Sequence, residues 1–145
     1  MLQECYMSSK TEPESKLSLV PNEQAFYKMF ESDPEIMLLI EPVLGVILDA
    51  NQPAINFYGY PKSKLCGMAI DEINTLSSEQ VAVERKKALH EERNYFVFPH
   101  KLSSGEERIV EVYSSPIVLH EKPVLFSIIH DITIRRPSGG VIWAR

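Results

Sequence analysis

From Tyr95 to Ile134 the chain is written almost continuously in β-favouring residues and is broken at two places by turn chemistry, first Ser103, Ser104 and Gly105, then Glu121 to Pro123. Such a stretch folds most economically as three antiparallel strands joined by hairpins. Side-chain alternation divides each strand. Phe96 and Phe98 share one face of the first, with Tyr95 and Val97 on the other. In the second, Ile109 to Leu119, Val110, Val112 and Ser114 oppose Glu111, Tyr113 and Ser115. The third runs from Val124 to Ile134. A meander of this kind needs an apolar cover, so the rest of the chain must supply it.

The preceding residues supply both cover and further strands. Phe26, Met29 and Phe30, spaced by three and by one, form a stripe on a helix over residues 22–32, and Pro34 stops that helix near Asp33. Ile36 to Ile40 and Val43 to Asp49 read as two short strands around a tight connection at Glu41 and Pro42, with a bend at Gly45. Asn51 caps a short helix that has Pro53 in its first turn, turns Ala54, Phe57 and Tyr58 inward and ends near Gly59. Pro61 opens another helical turn towards Leu65 and Gly67. A longer helix follows over residues 77–92, capped by Ser77 or Ser78 and facing inward through Val81, Ala88 and Leu89. The expected fold is α+β: one five-stranded antiparallel sheet, short helices over one face and an N-terminal flanking helix.

Residues 1–21 are expected to be a flexible leader, 22–133 the domain, and 134–145 a tail broken by Pro137, Ser138, Gly139 and Gly140. The net charge of −5 offers no field for a phosphate backbone, so nucleic acid is not an expected partner. Apolar runs are far shorter than the ~20 residues a spanning helix needs, and residues 1–14 lack the apolar core of a secretory signal. Cys5 and Cys66 match neither a disulfide framework nor a metal-ligand spacing, so a reducing, cytoplasmic setting is expected, with Cys66 an inert, partly buried thiol.

Three segments carry a resemblance. "ILDANQPAINFYGYPKSKLCG" resembles the strand-to-helix segment of PAS domains, "SSGEERIVEVYSSPI" resembles their hairpin and following strand, and "FSIIHDIT" their closing strand with Asp131, Ile132 and Thr133. Together, in order and spacing, they cover about residues 22–133. The tail departs from multidomain sensors, which continue into a charged connecting helix. The resemblance implies a sensory input module like those of bacterial diguanylate cyclases and sensor histidine kinases, and hence two-component or cyclic-di-GMP signalling.

Residue chemistry narrows what such a module holds. The cysteine segment of the light-sensing branch has no counterpart within Ile70 to Gln80, and Gln80 stands where the oxygen-sensing branch places its haem ligand. Neither flavin nor haem is therefore expected, and the cofactor stays open. His100 and His130 lack a third metal ligand. Ser114, Ser115 and His130 lack a nucleophile elbow or oxyanion loop, so no catalytic residue is assigned. Asp49 and Asp131 read as strand-end hydrogen-bonding residues rather than the acidic base of a small conical-cavity enzyme such as ketosteroid isomerase. Pocket candidates are Leu39, Leu48, Phe57, Ile73, Asn74, Val81, Phe96, Phe98, Val112, Ser114 and His130. Phe26, Met29 and Phe30 are expected either to cover the sheet's outer face or to meet a second copy in a homodimer interface, with Tyr113 and Ile117 supplying the exposed sheet surface that such a stripe would cover.

The functional expectation is a sensor that binds a small molecule or partner and biases a linked or associated output. The alternative is a stand-alone interaction module with a filled core and no ligand.

Overall fold

A computed structural model describes residues 21–135 and 141–142. Helix α1 spans Pro21–Ser32 and strand β1 Ile36–Ile40. After a loop come β2, Ile47–Ala50, the short helices α2, Gln52–Tyr58, and α3, Lys62–Leu65, and a 3₁₀ turn at Ile70–Glu72. Helix α4, Ser78–Leu89, precedes β3, Tyr95–Lys101, β4, Glu107–Leu119, and β5, Lys122–Asp131. Two-residue strands β6, Ile134–Arg135, and β7, Val141–Ile142, pair with each other. The leader and most of the tail lie outside the described residues.

Strands from both ends of the domain join one sheet in the order β2-β1-β5-β4-β3. Pairing of β1 with β5 closes it, with Ile36 opposite Ile129 and Ile40 opposite Leu125, antiparallel throughout. Each sheet face has its own core. On the concave side Leu38, Val110, Val112, Leu125 and Ile129 meet Ala54, Tyr58, Ile73, Val81 and Ala88 from the helices and turns. On the convex side Met37, Leu39, Val124 and Leu119 meet Tyr27 and Phe30 of α1.

Local chemistry explains the joints. Asn51 Oδ1 accepts from the amide of Ala54 at 3.1 Å, capping α2, and from the amide of Met37 at 3.1 Å, while its Nδ2 donates to Glu35 O at 2.8 Å. One side chain thus fixes a helix start to a neighbouring strand. Ser77 and Gln80 form a capping box at the start of α4. Asp131 accepts from Thr133 Oγ1 at 2.6 Å and from Thr133 N at 3.0 Å, and pairs with Arg108. The closing triplet therefore ties the end of β5 to the start of β4.

The second strand is shorter than expected. Residues 43–46 form a tight loop before it, in which the Glu41 carboxylate accepts from the amides of Val43 and Leu44 at 3.0 and 2.6 Å, and Gly45 takes φ +77°. Arg85 of α4 clamps this loop by donating to Pro42 O and Val43 O, both at 2.9 Å. At the other end, the β4–β5 turn places His120 and Glu121 at φ +52° and +67°, where glycine is usual. Helix α1 holds that turn: Glu23 accepts from His120 N at 3.0 Å, and Tyr27 Oη contacts His120 Nε2.

Cys66 is disulfide-bonded rather than an inert thiol. It ends α3 and is half-exposed. The spacing of two cysteines in sequence is silent on such contacts.

Candidate functional site

The concave face and the helices over it frame a cavity of about 50 Å³. Phe96, Phe98, Val112 and Ser114 supply the sheet side, and Asn74 and Val81 face them from the loop before α4 and from α4 itself. Leu38, Ile40, Leu125, Ser127 and Ile129 complete the floor, with Glu84, Arg85 and Ala88 on the helical side.

The other pocket candidates lie elsewhere. Leu39 and Leu48 belong to the convex core under α1. In Ile36–Ile40 every residue is apolar because both faces are covered, so alternation carried no parity signal and Leu38 and Ile40 take the inner face instead. His130 is on the outer face, where Nε2 meets Glu35 Oε1 at 2.7 Å and Nδ1 lies 3.8 Å from Glu111 Oε1. It alternates with Ile129, which faces inward. Ile73 is fully buried in the concave core without lining the cavity, and Phe57 packs at that core's edge. His100 and His130 are on opposite faces, on strands separated by β4, so they cannot share a metal. Ser114 and His130 are likewise on opposite faces.

The polar members of the wall are sparse and buried. Ser114 and Ser127 are cross-strand partners whose hydroxyls hydrogen-bond at 2.7 Å. Asn74 Oδ1 accepts from the amide of Leu76 at 3.0 Å. His100, outside the pocket candidates named from sequence, is 2% exposed and lines the cavity. Its Nδ1 is 2.8 Å from Tyr58 Oη, whereas its Nε2 is buried with no hydrogen-bond partner. Burial lowers its pKa to about 3, so the imidazole is neutral near pH 7. Burial first, and then the negative charge of Asp131, raises the pKa of Tyr58, which keeps its proton. A signal for His100 existed: it shares the inward parity of Phe96 and Phe98 on one strand.

Phe26, Met29 and Phe30 of α1 pack over the sheet of their own chain, with Ile117 of β4 in the same cluster beneath them. Phe126 receives Phe26 edge-on at 5.2 Å between ring centroids. Tyr113 lies beyond this cover, 45% exposed, against Tyr95 and His130.

A curved antiparallel sheet with arched helices, a sheltered hollow and a flanking helix on its back defines a sensory-domain architecture. The family model described as "PAS domain" matches residues 34–133, and the chain belongs to that family. It is 36% identical over 116 residues to the diguanylate cyclase DgcM of Escherichia coli K12, covering 76% of this chain and 28% of that protein. The chain thus spans little more than a quarter of that relative. Among solved structures, a PAS domain from Desulfitobacterium hafniense superposes with TM-score 0.67 at 20% identity, covering 72% of this chain and 98% of that one. The PAS domain of an HTR-like protein from Haloarcula marismortui gives 0.67 at 23% identity, covering 82% and 97%. Among the described residues, no helix is long and apolar enough to cross a membrane.

Proposed function

We propose that this PAS domain is the input module of a signalling protein, in which occupancy of the concave cavity is passed through the sheet to α1 and biases a linked or associated output. The observation that carries this is the position of β5. Its Leu125, Ser127 and Ile129 line the cavity, and the intervening Phe126 and Ile128 pack in the convex core against α1. A shift of that strand on one side is felt at once on the other, because packed interiors do not absorb displacement. A ligand or partner acts here only through different affinity for the two arrangements. The similarity to DgcM supports a diguanylate cyclase as the output. In this reading the domain itself carries no catalysis.

A direct test fills the cavity without a ligand. Ala88, 1% exposed on α4, lines the hollow. Ala88→Leu should change hydrogen-exchange protection of the α1 amides while the protein remains cooperatively folded. Native mass spectrometry and an absorbance scan of fresh protein would reveal a retained small molecule. Unaltered exchange across α1 in the folded variant overturns the proposal.

The small cavity favours a second reading, an interaction module with a nearly filled core whose convex face binds protein, including a second copy. It predicts no response of any backbone amide to small molecules.

A further inference from the structure

We infer that the cavity takes a small, neutral, planar molecule bearing a carbonyl-type oxygen, which accepts a hydrogen bond from His100 Nε2. This deepens, and rests on, the assignment of the hollow as the sensory site. The hydroxyl of Tyr58, itself fully buried, has His100 Nδ1 as its partner at 2.8 Å. Where the phenol, which keeps its proton, donates it to that nitrogen, the neutral ring carries its own proton on Nε2, and this is the tautomer assigned here. Nε2 is buried, unpartnered and on a ring that lines the cavity. A buried N–H without an acceptor costs about 1–3 kcal/mol, and a ligand oxygen would remove that penalty.

The remaining walls define the ligand's shape and charge. Phe96, Phe98 and His100 are stacked in a row with nearly parallel rings, at interplanar angles of 7° and 9°, an aromatic wall that suits the planar group around a carbonyl. Glu84 and Arg85 bring opposite charges to the lining; Arg85 donates through Nε and Nη2 to two loop carbonyls, while its Nη1 and Glu84 Oε1 are buried without a hydrogen bond, Nη1 lying 3.8 Å from the Asp71 carboxylate. The Arg85 charge is already opposed by Asp71 and flanked by Glu84, so an entering anion would meet two carboxylates as well as the cation and would pay its own desolvation. The volume of about 50 Å³ limits the guest to a few heavy atoms.

Acetamide and acetate separate these properties, being planar, nearly equal in size and different in charge. Side-chain ¹⁵N–¹H correlation spectra of the whole chain near pH 7 should show His100 as the Nε2–H tautomer. Its resonances should move saturably with acetamide and respond at least about ten-fold more weakly to acetate. Tyr58→Phe, which removes the donor to Nδ1, should redistribute the tautomer and weaken the acetamide response, and His100→Phe should abolish binding seen by backbone shifts. A resident Nδ1–H tautomer in the unmodified protein, equal binding of acetate, or signals that acetamide leaves unmoved would each overturn the inference, even if neither variant folds. If acetamide fails while Ala88→Leu still alters α1, the ligand class falls and the sensory assignment stands.

Discussion

At the scale of single residues, the side chains that matter most join elements distant in sequence. Asn51 holds the start of α2 and the edge of β1 through three hydrogen bonds while 3% exposed. Asn51→Ala removes a cap and leaves the Met37 amide without its side-chain acceptor, so stability should fall by about 2 kcal/mol in urea unfolding. An unchanged midpoint would refute the role. Gly45 makes a second test, because a Cβ there would sit 2.6 Å from Arg85 Nη1 and the backbone is left-handed. Gly45→Ala should cost about 1–3 kcal/mol, and part of that loss should vanish in an Arg85→Ala background, where only the backbone strain remains. His100 gives a pH signature. Its folded pKa of about 3 lies below the ordinary 6.5, so below pH 6.5 the unfolded chain binds a proton that the folded one refuses. Stability from this group is complete above pH 6.5 and declines as pH falls towards 3, by up to about 1.4 kcal/mol per unit. The slope of unfolding free energy against pH between 6 and 4 should therefore be shallower by nearly one proton in His100→Gln.

At the scale of elements, α1 has a dual character: a short amphipathic helix whose stability comes from docking on the convex sheet. Phe30 is 1% exposed there, and Phe30→Ala should cost about 3 kcal/mol or release α1, read as lost exchange protection confined to residues 21–32 and the β4–β5 turn. The elements themselves were legible because each carries a local rule: Asn51 and Ser77 as caps, Pro34 as a stop, Gly105 as a hairpin residue. The β2 boundary was not, because Val43 and Leu44 look like strand residues yet are 71% and 70% exposed in a loop closed by Glu41 and Arg85. Strand faces were legible where only one side is dry, as for Val112 and Ser114 against Glu111 and Tyr113. They were not in β1, where cover on both sides erases alternation and Leu39 was placed on the wrong face. The unpaired nitrogen of His100 depends on a partner 42 positions away, which no local pattern encodes.

At the scale of the whole molecule, the convex face is only partly roofed, and Tyr113 marks its open end. If a second copy binds there, as the interaction-module reading holds, light scattering of the whole chain should give twice the monomer mass, and Tyr113→Arg should return it to one. A monomeric wild type at micromolar concentration would remove the dimer from the scheme. The hairpin turn at His120 and Glu121 links this surface to the rest. Left-handed backbone at non-glycine residues is costly by about 1–3 kcal/mol each, and here it persists under the grip of Glu23 and Tyr27. Helix and hairpin tip are consequently held as one spring-loaded clasp. Peeling the helix away frees the tip to unwind, so detachment would proceed as a single snap between two states rather than as gradual fraying.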